Sequence, residues 1–150
     1  MSDTPTVGHM TAKHSYIEVS HDGATWTGIN GSVSSVTPSG GDHMTGTLHV
    51  FGGHWPLIGI GKRNPSSWTI RYPYTEVENE FTDLVDGYFE NQDPVYIRWR
   101  PKGNAAGNWQ FVGWGYFLNP VHPASDSTTG DLLANEVTWF GTEVERSVAT

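Results

Sequence analysis

Cysteine is absent from all 150 residues of this chain. Its absence excludes disulfide bonds, thiolate nucleophiles and cysteine-ligated zinc centres at the same time. The fold must therefore be held by packing alone, or by packing together with assembly. The chain is also compatible with assembly in a reducing compartment.

Basic residues and long apolar runs are scarce as well. The chain has eight Lys and Arg residues and 16 Asp and Glu residues, so its formal net charge is −8. Phosphate binding needs clustered cations, so a nucleic-acid-binding domain is disfavoured, although an acidic surface can still face DNA and repel it. No apolar run approaches the ~18 residues of a membrane helix, and the polar start has no signal-peptide core. We expect no membrane partner.

Motifs for catalysis and cofactor binding are also missing. The chain has no Gly-x-Ser-x-Gly elbow and no phosphate-binding Gly-Lys-Ser/Thr loop. Gly59 and Gly61 follow a strand-like run but open no helix, so a dinucleotide site is not expected. His43, His49 and His54 share one region without the spacing of a metal-binding pair, which favours surface histidines. We expect a protein that is not an enzyme, with no cofactor and no metal.

The abundant residues favour β structure. The chain has 18 Gly, 9 Pro, 7 Trp, 6 Tyr and 6 Phe, and its length fits one domain. We predict a mostly β fold, a β-sandwich or barrel of about eight strands with one flanking α-helix. The predicted domain covers residues 15–142, after a flexible N-terminal arm at 1–14 and before a polar C-terminal tail at 143–150.

Alternation of apolar and polar residues predicts the strands. A hairpin is expected over 15–29 around the turn Asp22-Gly23, because Asp-Gly suits positive φ. Further strands are expected at 47–51, 68–72, 95–100, 109–118 and 135–142, and a short apolar segment lies at 57–61. The strand at 109–118 has large residues on both faces, so either both faces are covered or one meets a partner.

One helix is predicted, with a single apolar stripe. The core-facing residues of this stripe are Phe81, Leu84, Val85, Tyr88 and Phe89. Thr75 and Glu78 match a capping box at its start, and it ends near Asn91. Seven acidic residues lie between positions 76 and 93 without any Lys or Arg. Most fall on the polar side of the helix, which favours a solvated or interface-facing surface over a catalytic carboxylate pair.

Several segments, in this order and spacing, resemble the tail tube (major tail) proteins of long, non-contractile, siphovirus-like bacteriophage tails. The resemblance covers roughly residues 15–142. Its segments are 16–26, 36–41, 61–63, 68–72, 88–91 and 95–103. It implies subunits that form hexameric rings, which stack into a hollow tube that delivers the genome. The same fold family includes the tubes of contractile tails and of type VI secretion.

The resemblance also implies partners and a location. The partners are further copies of the chain, a tape-measure protein, and the tail terminator and distal tail proteins. Phage DNA passes through without specific binding. The location is the tail of the virion, assembled in the host cytoplasm.

Two sets of residues are candidates for roles in such a tube. The region from Pro38 to Pro56 is predicted to be a long loop, because it exceeds ordinary loop lengths, and we expect it to reach a neighbouring ring or subunit. Its candidate contact residues are Pro38, Asp42, His43, Met44, His49, His54, Trp55 and Pro56. Glu18 and Glu136 are candidates for the lumen, because each lies on the strand face opposite apolar neighbours. A negative lumen avoids salt-dependent phosphate contacts.

Two other functions remain as alternatives at the level of sequence. One is a carbohydrate-binding β-sandwich, such as an adhesion domain, which would stack sugars on exposed Trp or Tyr side chains. The other is a different tail component on the same fold, such as a tail terminator or distal tail subunit. The oligomeric state separates the tube from the glycan binder, since only the tube protein has to polymerise.

Overall fold

A computed structural model describes residues 15–29, 33–121 and 132–150 of the chain. The predicted N-terminal arm lies outside these ranges, and so do residues 122–131. Within them the chain forms nine strands and one α-helix. In chain order these are β1 Tyr16–Ser20, β2 Thr27–Gly28, β3 Ser35–Gly40, β4 His43–Leu48, β5 Leu57–Arg63, β6 Ser66–Pro73, α1 Phe81–Asn91, β7 Val95–Arg100, β8 Trp109–Val121 and β9 Ala134–Val148.

Seven strands form one antiparallel sheet in the order β2-β1-β7-β8-β9-β6-β3, while β4 and β5 pair separately. The sheet is strongly curved. Neighbouring strands lie about 4.8 Å apart, so β6 and β7 would be separated by about 14 Å in a flat sheet. The rings of Trp68 on β6 and Trp99 on β7 nevertheless approach to 5.9 Å between centroids. The indole N–H of Trp139 on β9 also donates to the carbonyl of Val95 on β7 at 3.1 Å. The sheet therefore wraps around its own core.

The core confirms the period-two predictions. On β9, Val137 and Trp139 are buried, while Glu136 and Phe140 on the other face are exposed and Thr138 is half-buried; on β1, Ile17 and Val19 are buried, and so is Glu18 between them. The predicted hairpin at 15–29 forms, with Glu18 opposite Gly28. The mostly β fold with one helix packed on its flank is also confirmed, because α1 contacts β8 and β6.

The start of the helix differs from the prediction. The helix begins at Phe81 rather than near Thr75, and Glu80 at its N-cap makes no side-chain capping bond. Asn79 has a φ of 67°, in the left-handed region, which interrupts right-handed helical geometry just before this point. The capping box is therefore absent. Two side chains of the first helical turn reach back instead: the Asp83 carboxylate accepts from the Asn79 N–H, and Thr82 Oγ1 accepts from the Thr75 N–H.

The helical stripe contributes unequally to the core. Phe81 and Val85 are buried, and Tyr88 packs against the core from a half-buried position. Leu84 is half-buried, but Phe89 is exposed, contrary to the prediction that it faces the core. The helix ends at Asn91 as predicted, with Gln92 in the left-handed conformation behind it.

Two strands extend further than their side-chain patterns predict. β8 continues through Asn119 to Val121, and β9 continues past Thr142 to Val148. The segment 143–148, predicted as part of a polar tail, pairs in part with residues 109–112 of β8. Backbone pairing sustains a strand even where most side chains face solvent, and that pairing leaves no alternation in the sequence.

Candidate assembly surface

The region predicted as a long loop is a β-ribbon, so the loop prediction is wrong. β3 pairs with β6 and β4 pairs with β5, and each pair continues into the other. Backbone bonds bridge the junction: Gly41 N–H donates to the Pro65 carbonyl at 3.2 Å and Asn64 N–H to the Asp42 carbonyl at 2.7 Å. The outer part, residues 43–63, is named here the β4–β5 hairpin.

The junction between sheet and hairpin requires glycine. Gly40 and Gly41 have φ of 76° and 74°. A Cβ on Gly40 would lie 2.6 Å from the Pro65 carbonyl oxygen, too close for any other residue. The Arg63 Nε–H donates to the Gly41 carbonyl at 2.8 Å and ties the return strand to this point. The direction in which the hairpin leaves the sheet is thus set by local backbone geometry.

The β4–β5 hairpin is exposed along its whole length apart from half-buried Pro56. Many of its exposed side chains are large and apolar. They are Met44, Leu48, Val50, Phe51, Trp55, Leu57, Ile58 and Ile60. Phe51 is fully exposed and Trp55 is 84% exposed. Contiguous exposed apolar surface on a soluble domain marks an interaction site, so this hairpin is the strongest assembly candidate among the described residues.

The predicted contact residues lie at different positions along this ribbon. Pro38 pairs with Trp68 inside the main sheet, and Asp42 lies at the junction. His43 and Met44 open β4, and the connection at 49–56 carries His49, His54, Trp55 and Pro56. Their part in assembly remains a prediction. The sequence analysis missed Phe51, Ile58 and Ile60. Ile58 and Ile60 alternate with Gly59 and Gly61, a period-two signal that indicates a strand.

A second exposed apolar surface lies beside the helix. Tyr116 and Leu118 on β8 are exposed, while Phe117 between them is buried. Phe140 on β9 lies opposite Tyr116 and is also exposed. A groove of about 530 Å³ separates the end of α1 from this part of β8. Its lining residues are Tyr88, Phe89, Glu90, Gln92, Tyr116, Phe117 and Leu118. It is named here the α1–β8 groove. At this end of β8 one face is buried and the other is exposed, and contact of the exposed face with a partner stays a prediction.

Glu18 is not on a solvated face. It is 6% exposed and forms an ion pair with Arg98, its cross-strand neighbour on β7. The Arg98 guanidinium stacks over the ring of Trp26 at 4.2 Å, which shields the pair from water. The Trp26 ring and Arg98 therefore cover the strand face on which Glu18 was expected to meet the lumen, and its lumen role stays a prediction. Alternation along β1 identifies the face that Glu18 occupies, but it does not show that Trp26 covers this face.

Glu136 does lie on an exposed face. It sits on β9 opposite Arg71 of β6, with the buried Val137 next to it in sequence. Thr138 and Phe140 follow on the same side of the strand. The lumen assignment of Glu136 stays a prediction.

The turn of the first hairpin is held by one carboxylate. Asp22 Oδ1 accepts from the backbone N–H of Ala24 at 2.8 Å and of Thr25 at 2.9 Å. The Ser20 hydroxyl also donates to it at 3.0 Å. These bonds favour the ionised form and lower the pKa of Asp22 from 3.8 to about 2. Gly23 follows with a φ of 78°, as the Asp-Gly signal predicts.

The lowered pKa gives a pH-dependent prediction. A carboxylate with a depressed folded-state pKa contributes stability above its unfolded pKa, and this is lost as the pH falls towards the folded value. Replacing Asp22→Ala should therefore lower the melting temperature at neutral pH, and the difference from the unmodified chain should shrink between about pH 4 and pH 2. Asp22→Asn is the control, since it keeps an acceptor oxygen without the charge. A difference that is constant with pH would contradict this role for Asp22.

Nothing in the described ranges resembles a metal site, since no three His, Asp or Glu side chains there are grouped to hold an ion. A smaller cavity of about 360 Å³ lies at the start of α1. Its lining residues are Tyr74, Thr75, Glu76, Thr82, Asp83 and Asp86. The Tyr74 hydroxyl donates to Glu76 at 2.8 Å, and this bond is the main reason why the pKa of Tyr74 is raised. The described helix is too short and too polar to cross a membrane.

Comparison with solved structures identifies the architecture. A chain from the tail of an empty gene transfer agent particle, reconstructed with sixfold symmetry, matches with a TM-score of 0.68 at 11% identity, over 95% of this chain and 100% of the other. The chain has a tail-tube fold.

Two further structures share this tail-tube fold. A chain of the PVC sheath–tube complex of an extracellular contractile injection system matches with a TM-score of 0.67 at 15% identity, over 95% of this chain and 94% of the other. A chain of the PVC sheath/tube terminator matches with a TM-score of 0.64 at 16% identity, over 95% and 99%. No protein-family model matches the sequence, and no curated protein matches it. At sequence identities this low, the similarity to these structures establishes the fold alone.

Proposed function

We propose that this chain is a structural, non-enzymatic subunit that forms hexameric rings, which stack into the hollow tail tube of a bacteriophage or phage-like particle. The observation that carries the proposal is the exposed apolar β4–β5 hairpin on a tail-tube fold. Within the described ranges no other part of the chain covers this hairpin. Assembly would bury it, and a closed ring of strands would also remove sheet edges.

The sequence resemblance supports the long, non-contractile tail of a siphovirus-like phage as the setting. Structural neighbours include a gene transfer agent tail and an extracellular contractile injection system, so the fold is compatible with either kind of tail. In this proposal the partners are other copies, a tape-measure protein, and the terminator and distal tail proteins. Assembly takes place in the host cytoplasm, and genomic DNA passes through the finished tube.

Electron microscopy of the purified chain over a range of concentrations tests the proposal. The expected result is hollow tubes or sixfold rings at high concentration. A chain that stays monomeric when concentrated would contradict it. The glycan-binding alternative would then be tested on a glycan array, because Trp55 and Trp109 are exposed aromatic side chains of the type that stack on sugars.

A second candidate function is a terminating or capping subunit of the same tail. Two observations favour it: one structural neighbour is a sheath/tube terminator, and another is the anti-feeding prophage tube-terminating cap, with a TM-score of 0.58. A terminator would form single rings that do not extend. Micrographs that show only single rings at every concentration would support the terminator and count against the tube.

The acidic charge of the chain suits passage of DNA, and Glu136 is the lumen candidate that remains exposed. Replacing Glu136→Lys should leave tubes intact, because the side chain lies on an exposed face of β9. DNA ejection should slow, most strongly at low salt, since a lysine adds a phosphate contact that salt screens. Ejection kinetics measured at two salt concentrations check this. Glu145→Lys, on the exposed C-terminal part of β9, is a matched charge control.

A further inference from the structure

The α1–β8 groove combines exposed aromatic rings with a carboxylate. Phe89 of α1 and Tyr116 of β8 line it and are 40% and 41% exposed, so part of each ring is open to a bound group. Glu90 is another of its lining residues and is also exposed. The volume of about 530 Å³ lies within the range of about 300–1,000 Å³ typical of pockets that hold a ligand. The groove thus offers apolar contact and a negative counter-charge at one place.

The end of α1 adds to the negative potential of the groove. The C-terminus of a helix carries a partial negative charge, and the last turn of α1 contains no basic residue. Burial raises the pKa of Tyr88 in the groove wall, and the charges of Asp93 and Asp22 raise it further. Residues 76–93 contain seven acidic residues and no Lys or Arg. The groove therefore favours a bound cation over a neutral or anionic group.

Aromatic rings beside a carboxylate suit one cation in particular, the guanidinium group of arginine. A guanidinium is planar, so it stacks on a ring while its N–H groups bond a carboxylate. The chain already contains this arrangement, because Arg98 stacks over Trp26 at 4.2 Å and pairs with Glu18. In the groove, Phe89 and Glu90 supply the ring and the carboxylate, and the arginine has to come from elsewhere.

β8 presents an open edge at the same place. β7 begins at Val95, which pairs with Gly115 of β8. From Tyr116 onwards, β8 has β9 on one side and no described strand on the other. The backbone N–H and C=O groups of such an edge pair with an extended peptide, a common mode of peptide recognition. A peptide that pairs here would run along the groove.

We infer that the α1–β8 groove binds an extended, arginine-containing segment of another protein, with the segment's backbone along the edge of β8 and its guanidinium between the aromatic rings and Glu90. The inference does not depend on the proposed function, because the site lies within one chain and needs no second copy of it. The partner is recognised by its positive charge and its extended conformation.

Peptide titration tests this site on the full chain, at a protein concentration where the chain stays monomeric. The probe is the peptide Thr-Val-Arg-Val-Thr-amide with a neutral fluorophore at its N-terminus, followed by fluorescence anisotropy. Binding should saturate with a Kd below about 1 mM. Citrulline in place of arginine keeps the shape without the charge and should weaken binding about tenfold. N-methylation of both valines blocks their backbone N–H groups and should weaken binding by a similar factor. A peptide that fails to saturate, or that binds equally well with citrulline, would overturn the inference.

Two exposed carboxylates provide a matched pair of variants. Glu90→Gln should weaken the arginine peptide about fivefold at low salt and leave the citrulline peptide unchanged, because only the charge interaction is lost. Glu78→Gln, at an exposed position before α1 and outside the groove, should leave both affinities unchanged. Equal effects of the two substitutions would show a diffuse attraction to acidic surface and would overturn the site.

A second copy of this chain is the rival occupant of the groove. Leu118→Glu adds a charge to the apolar wall and should abolish peptide binding, while the exposed position leaves the fold intact. Loss of self-association in this variant, together with no peptide binding to the unmodified chain, would assign the groove to a second copy and overturn the inference. Peptide binding by a chain that forms neither tubes nor rings would support the groove and contradict the proposed function.

Discussion

On the proposed function, replacing Phe51→Ser and Trp55→Ser together should raise the protein concentration needed for tube formation by roughly a thousandfold. Both side chains are exposed at the tip of the β4–β5 hairpin, so their substitution removes nothing from the core. Buried aromatic anchors in interfaces each contribute about 2 kcal/mol or more, and about 1.4 kcal/mol corresponds to a factor of ten. Two anchors therefore account for about three orders of magnitude.

The measurement is the critical concentration for sedimentable tubes, with micrographs of the pellet. Val77→Ser is the matched control, because Val77 is also an exposed apolar residue but lies in the segment before α1. Circular dichroism and thermal unfolding should show the double variant as a folded monomer. Tubes forming at the unmodified concentration would show that the hairpin tip is not part of the assembly contact.

Replacing Arg98→Leu will lower the free energy of unfolding by about 3 kcal/mol, because it leaves the carboxylate of Glu18 buried without its partner. For a chain of this length the melting temperature should fall by about 10 °C. The double variant Glu18→Leu with Arg98→Leu should regain most of this loss, since no uncompensated charge then remains in the sheet. Thermal unfolding and denaturant titration of the two variants measure the difference.

Arg146→Leu is the matched control for this prediction. The Arg146 guanidinium stacks over the Trp109 ring at 4.2 Å, the same distance at which Arg98 stacks over Trp26. Arg146 is exposed, and its stacking should be worth only about 1 kcal/mol or less. If Arg98→Leu and Arg146→Leu cost the same, the pairing with Glu18 contributes no stability.

The strands that surround the core could be predicted from the sequence, and the hairpin could not. Along β6, Trp68, Ile70 and Tyr72 are buried and leave a period-two pattern. In the part of the chain that the structure describes, the β4–β5 hairpin has no fully buried side chain, and its many glycines and histidines resemble the composition of a loop. Only Ile58 and Ile60 on β5 leave a period-two signal; β4 is specified by backbone pairing across the ribbon, which no single stretch of sequence displays.

The sequence predicted one part of the candidate assembly surface, the region of the ribbon, and missed the other part, the groove. The region around His49, His54 and Trp55 was identified from its unusual length and composition, and it lies within the exposed ribbon. The α1–β8 groove was not predicted, because it depends on where β7 ends relative to β8 and on where α1 lies beside that edge. Phe89 was assigned to the core since it continues the helical stripe, but it lies exposed beside the groove, whereas its neighbour Tyr88 packs against the core.

The sequence by itself determined the class of the fold, the positions of the core strands, the end of the helix at Asn91, and the absence of disulfide chemistry. These features depend on local periodicity and composition, which can be read from residues close together in the sequence. Only the tertiary structure decided that Glu18 is buried against Arg98, that the ribbon stands apart from the sheet, and that a groove opens beside β8. Each of these depends on contacts between residues distant in sequence, because chain folding, and not spacing along the chain, sets which surfaces meet and which remain exposed.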